Sequence, residues 1–157
     1  MNTSYRPDGF TAITPLVVVS PATEAVRFYT QVFGARVTTQ MTGPDGSLWH
    51  CELDFGCGRL QLMDPNEQFH AVANDPSTDD ARFSLGVYVP DVDATLAQAV
   101  EHGARVREKP QDFAVSGDRF ASIQDPFGVR WTIMCRKEAR TDEEIQQNLD
   151  AWRATFV

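Results

Sequence analysis

Gly34-Ala35-Arg36-Val37 recurs as Gly103-Ala104-Arg105-Val106, 69 residues further along a chain of 157. At the same offset Leu16 meets Leu85, Val18 meets Val87, Pro21 meets Pro90 and Ala25 meets Ala94. Self-similarity at one fixed offset is the mark of a duplicated structural unit. Upstream of each Gly-Ala-Arg-Val lies the same succession of patterns. A β-branched apolar run comes first, Ile13 to Val19 and Phe83 to Val89, and reads as a strand. Each run stops at a proline, which has no N–H for a ladder. Apolar residues then recur at spacings of three and four, Ala22, Ala25, Val26, Phe28, Tyr29, Val32 and Phe33 in the first copy. Val92, Thr95, Leu96, Ala99 and Val100 do the same in the second. Both sets make one helix face, and Gly34 and Gly103 stand where a helix ends on a left-handed residue.

Downstream, three strands are expected in each copy. They are Arg36 to Met41, Leu48 to Phe55 and Arg59 to Met63, then Ala104 to Glu108, Asp118 to Gln124 and Val129 to Cys135. Gly43-Pro44-Asp45-Gly46 and Asp125-Pro126-Phe127-Gly128 supply turn chemistry between strands. Each copy is therefore βαβββ. A lone unit of this kind has a sheet face it must bury, and two copies can serve each other. The expectation is an α+β fold of two tandem βαβββ modules forming a curved mixed sheet around a cleft, plus a C-terminal helix. As one domain over residues 1–157, it divides into a first module at 10–65, a linker at 66–81, a second module at 82–136 and a helix at 141–157. In that helix Thr141 and Glu144 have capping-box spacing, and Ile145, Leu149, Trp152 and Phe156 form one apolar stripe. The stripe suits docking on its own domain, a dimer contact or a lid.

Composition narrows the function. Fourteen Lys and Arg against twenty-two Asp and Glu leave a formal charge of −8. Nucleic-acid phosphates and anionic lipid both need a basic face, so neither partner is expected. No apolar run reaches the roughly 20 residues that span a bilayer. Met1 to Gly9 lacks the apolar middle of a secretory signal. Cys51, Cys57 and Cys135 are odd in number and show no C-x-x-C spacing, against a disulfide framework or structural zinc. The reading is a cytoplasmic protein with reduced thiols.

His50 and Glu52 are two apart on an expected strand, so they share a face, with Trp49, Cys51, Leu53 and Phe55 on the other. Such a pair can contact a ligand, act as acid and base, hold a metal, or be a hydrogen-bonded polar surface with no further role. His70 in the linker and His102 at a helix end read as structural or solvated. Cys57 lies in the hairpin signal Gly56-Cys57-Gly58 with only Arg59 basic nearby, which does not activate a thiolate. No Ser–His–Asp set and no phosphate loop is visible.

The duplicated βαβββ pattern, Phe28-Tyr29 ahead of Phe33-Gly34-Ala35, and Asp125-Pro126-Phe127-Gly128 before the last strand resemble the vicinal oxygen chelate superfamily, which includes glyoxalase I, extradiol dioxygenases and bleomycin-resistance proteins. Ile13-Thr14-Pro15, the stretch from Pro44-Asp45-Gly46 to His50-Cys51-Glu52-Leu53, and the acidic C-terminal helix are most similar to its PhnB-like branch. The resemblance implies a divalent metal bound by His or Glu from the first and last strands of each half. The matching positions hold Thr14 or Pro15, Phe83 or Ser84, Gln61, and Thr132. None is His, Glu, Asp or Cys, so no metal and no cofactor is expected, and no residue is assigned as catalytic.

On the parity set by Gln61 and Thr132, the side chains of Met63, Arg130 and Met134 also face a ligand or, alternatively, the core. Of Arg119 and Phe120, alternation does not decide which faces in. The ligand-binding candidates are thus His50, Glu52, Gln61, Met63, Arg119, Phe120, Arg130, Thr132 and Met134. The leading expectation is a metal-free binder of a small molecule, such as an antibiotic or metabolite. An enzyme of the superfamily, a lyase, isomerase or dioxygenase with a metal site displaced to His50 and Glu52, is the alternative, and an interaction domain a third. The resemblance also implies a homodimer, in some relatives formed by exchanging halves.

Overall fold

A computed structural model describes residues 5–156. Residues 1–4, part of the leading stretch read above, and Val157, the last residue of the expected C-terminal helix, lie outside the described residues. The chain forms two compact units. One runs to Asp79 and takes in Pro126–Gly128; the other holds Asp80–Asp125 and the chain from Val129 onward.

In the first unit β1 (Leu16–Val18), α1 (Ala22–Phe33), β2 (Arg36–Thr42), β3 (Leu48–Asp54) and β4 (Arg59–Met63) build a four-stranded sheet in the order β1-β4-β3-β2. The β1–β4 pair is parallel and the others are antiparallel. β1 is shorter than expected because Pro15 has no N–H to give, and pairing starts at Leu16 opposite Gln61. α1 stops at Gly34, whose φ of +67° suits glycine. Its buried face of Ala22, Ala25, Phe28, Tyr29 and Val32 packs on β2, β3 and β4, where Cys51, Leu53, Leu60 and Leu62 are buried. The Asp64 carboxylate, just past β4, accepts from the amides of Ala22 at 2.9 Å and Leu48 at 2.7 Å. One side chain thereby joins the start of the helix to the start of β3.

Trp49 corrects the expected alternation. The β2–β3 ladder shifts between Met41 and Thr42, so Thr42 pairs with Leu48 and Met41 with His50. The extra residue of this bulge is Trp49. Leu48 takes the buried place, and Trp49 is left 57% exposed.

The second unit repeats the plan with β5 (Ser84–Tyr88), α2 (Val92–Glu101), β6 (Arg105–Phe113), β7 (Asp118–Gln124) and β8 (Arg130–Arg136), in the order β5-β8-β7-β6. β6 runs past the expected Glu108 and through Pro110. It lies at the sheet edge, where a missing N–H is tolerated, and its ladder slips between Glu108 and Gln111. α3 (Asp142–Arg153) starts with the expected capping box between Thr141 and Glu144. Its stripe is only partly covered. Ile145 and Leu149 are half-buried, Trp152 is 44% exposed and Phe156 is 72% exposed. Trp152 meets Phe113 edge-on with ring centres 5.9 Å apart, and Asn148 Nδ2 donates to the Ala114 carbonyl at 3.2 Å.

Candidate functional site

β-strand parity sorts the candidates. In the first sheet, one face packs on α1. The residues alternating with that packing are His50 and Glu52 on β3 and Gln61 and Met63 on β4. Glu52 pairs with Gln61, and Gln61 pairs with Leu16. His50 Nε2 lies 3.3 Å from Glu52 Oε1. The other carboxylate oxygen, Oε2, is 3.5 Å from Arg59 Nη1, which also donates to Thr38 Oγ1 at 2.6 Å. The Arg59 guanidinium carbon sits 4.7 Å from the centre of the Phe10 ring, a cation–π contact that fixes its plane. His50, Glu52 and Arg59 are all half-buried or nearly so.

Arg59 is the functional candidate that sequence reading passed over, noted there only as a neighbour of Cys57. It lies two residues before Gln61 and so shares its face, and that parity was the available signal. The resulting row offers a ring nitrogen, a carboxylate, a guanidinium and an amide on one polar surface, with Met63 as an apolar end. It can donate and accept hydrogen bonds to a neutral or zwitterionic organic molecule.

In the second sheet Arg130 pairs with Gln124 and Ser84, Thr132 with Ser122 and Gly86, and Met134 with Phe120 and Tyr88. Arg130, Thr132, Met134 and Phe120 therefore share the face turned from α2. The register resolves the choice between Phe120 and Arg119. Arg119 belongs to the helix side, where Nε and Nη2 donate to Asp93 in the first turn of α2 at 2.7 and 2.8 Å and Nη1 donates to Asp112 at 2.9 Å. These bonds hold the Asp93 carboxyl below the usual carboxylate range and raise the Arg119 pKa. Arg119 is placed as a clasp between α2 and β7, away from the other candidates.

The donors for a divalent metal do not assemble. Gln61 is flanked by Leu16 and Glu52, and Thr132 by Gly86 and Ser122. Among the described residues no group of three His, Cys, Asp or Glu side chains comes together to hold a metal ion. At the His50–Glu52 pair, the Arg59 guanidinium occupies the electrostatic role a cation would take, and it would repel a second positive charge. Among the described residues, the positions expected for a metal therefore offer no fitting donor set.

A model of the Glyoxalase/Bleomycin resistance protein/Dioxygenase superfamily matches residues 11–133. The chain belongs to this superfamily. A relative, an uncharacterized protein of Mycobacterium bovis, is 32% identical over 124 residues, 78% of this chain and 81% of that one. Among solved structures, a glyoxalase/bleomycin resistance protein/dioxygenase from Nocardioides superposes with a TM-score of 0.58 at 19% identity, covering 90% of this chain and 91% of that one. A PhnB protein from Bacillus cereus gives a TM-score of 0.60 at 17% identity, covering 80% and 99%. At these identities the structures testify to the superfamily fold alone. Among the described residues no helix is long and apolar enough to cross a membrane.

Proposed function

We propose that this superfamily member binds a small organic molecule without a metal, on the face of the first sheet that carries His50, Glu52, Arg59, Gln61 and Met63. The observation that carries the reading is the Glu52 carboxylate between His50 and Arg59, at 3.3 and 3.5 Å. That arrangement presents hydrogen-bonding groups to a ligand while disfavouring a metal cation. Phe120, Arg130, Thr132 and Met134 offer a comparable mixed surface on the second sheet. The ligand is an antibiotic or a metabolite that the protein sequesters, and the chain stands nearest the PhnB-like branch. Its working form is a homodimer in the cytoplasm.

The test is thermal shift with a broad panel of metabolites and antibiotics in the presence of a chelator. A ligand that binds the native state alone raises the melting temperature. The expected result is a shift of several degrees that Glu52→Gln largely removes. No shift across the panel would overturn the reading. Stoichiometric Mn, Fe, Ni or Zn after chelator-free purification, with ligand shifts only in its presence, would favour the metal-dependent enzyme instead. Light scattering at micromolar concentration checks the dimer, which requires twice the chain mass of 17.5 kDa.

A further inference from the structure

The first unit has a cleft of about 230 Å³ that the proposed face does not use except at Met63. It is lined by Trp49, Phe69, Met63, Leu48, Pro65 and Asp64, among others. Two of its walls are aromatic rings that the fold holds outward. Trp49 is the bulged residue of β3, and its indole lies directly against Gly43, where a Cβ would come within 2.5 Å of Nε1. Phe69 is 69% exposed and ends a one-turn 3-10 helix, Glu67–Phe69. That turn is closed on itself. Asn66 Oδ1 accepts from the Gln68 amide at 2.9 Å, and Asn66 and Ala71 exchange two backbone bonds at 3.0 Å each. His70 completes it at a φ of +52°, a left-handed conformation unusual for a residue with a side chain.

Both rings are exposed, Trp49 at the bulge of β3 and Phe69 at the end of the closed turn. Large apolar side chains exposed at the rim of a cavity are a recurrent feature of recognition sites. The cleft also has a sign. Asp64 lines it, with its carboxylate anchored by the amides of Ala22 and Leu48, and none of the residues lining the cleft is Lys or Arg. The faces of Trp and Phe rings are themselves the negative poles of a quadrupole. The volume is below the roughly 300–1,000 Å³ of a pocket for a whole drug-sized molecule, which limits the occupant to one or two fused rings.

We propose that this cleft is a subsite for a flat aromatic cation, its ring against Trp49 and Phe69 and its positive charge near Asp64. The inference deepens the small-molecule reading, on which its biological sense rests, by naming a chemical class for the part of the ligand that passes Met63.

The probe is N-methylquinolinium, titrated calorimetrically into the full chain. 2-Naphthalenesulfonate serves as a flat anion of similar size and tetramethylammonium as a cation without a ring. N-methylquinolinium is expected to bind, and the other two at least tenfold more weakly. Trp49→Ala and Phe69→Ala should each weaken it by about 3- to 30-fold, the range of a partly desolvated cation–π contact. Phe156→Ala, which removes an exposed ring elsewhere, should leave it unchanged. Should Trp49→Ala unfold, Phe69→Ala decides alone, because its ring supports no core. Equal affinity in Phe69→Ala and the parent chain, equal binding of the anion, or no binding at millimolar probe would overturn the proposal. If the panel of metabolites and antibiotics yields nothing while quinolinium binding depends on Phe69, the subsite stands and the reading of the polar sheet face falls.

Discussion

The indole N–H of Trp131 donates to the carboxylate of Asp125 across 3.0 Å, and both residues are buried. The second carboxylate oxygen accepts from the Val129 amide at 2.8 Å, while the Asp125 amide donates to the Val129 carbonyl at 2.9 Å. The turn Asp125-Pro126-Phe127-Gly128 is thus locked by the residue that opens it. Asp125→Ala strands a buried indole N–H and a buried amide, and each unsatisfied donor costs about 1–3 kcal/mol. Urea denaturation should show a loss of roughly 2–5 kcal/mol, with a smaller loss for Asp125→Asn, which keeps an acceptor. A loss below about 1 kcal/mol for the alanine variant would show that the bonds are dispensable.

The thiols should separate by reactivity. Burial pushes the Cys51 thiol up to about 11, with a further push from the neighbouring Glu52 charge. Cys57 is exposed. The thiolate is the reacting form, so a disulfide reagent at pH 8 should label Cys57 rapidly and Cys51 only under unfolding conditions. Mass spectrometry of partially labelled protein reads this directly, and early labelling at Cys51 would contradict its burial on the helix side of β3.

Asp118 should shape the acid limb of stability. Burial pushes its carboxyl up, but hydrogen bonds from Arg136 and Ser116, with the Arg136 charge, outweigh burial and leave it below its ordinary 3.8. A carboxyl depressed in the folded state stabilises it fully above the unfolded value. That contribution fades as pH falls from about 4 through the folded value. Asp118→Asn should therefore lower stability at neutral pH and flatten its fall below pH 4. Parallel curves for the two proteins between pH 5 and 2 would refute the assignment.

α3 should open independently of the sheets. It has no fully buried residue, and its capping box contributes much of what holds its first turn. Hydrogen exchange should find its amides far less protected than those of β7 and β8. Thr141→Ala removes a cap worth about 0.5–2 kcal/mol, and should speed exchange in α3 by roughly 2- to 30-fold. Unchanged exchange there would mean that the packing of Ile145, Leu149 and Trp152 and the Asn148 hydrogen bond hold the helix without the cap.

The repeat of Gly34-Ala35-Arg36-Val37 at Gly103 located both modules because duplication conserves pattern. Thr141 with Glu144 located α3 because a capping box is a local device. Strand parity likewise put His50 with Glu52 and Gln61 with Met63, and the β3–β4 register brings the two pairs to one face. Trp49 was misplaced because a bulge breaks the period of two, and nothing in Leu48-Trp49-His50 marks which residue is extra. Arg119 was left open because its partner Asp93 lies on another element, 26 residues away. Arg59 could be placed with Gln61 by parity, but its role depends on Thr38, Glu52 and Phe10, which the fold brings near it.

β6 forms one border of the second sheet, and Pro110 sits in its slipped ladder between Glu108 and Gln111. Proline offers no N–H, and the slip twists the strand locally. A foreign strand laid along this border would lose register within a few residues. That margin is therefore a poor template for an added strand, and Pro110→Val is the replacement that would make it a better one.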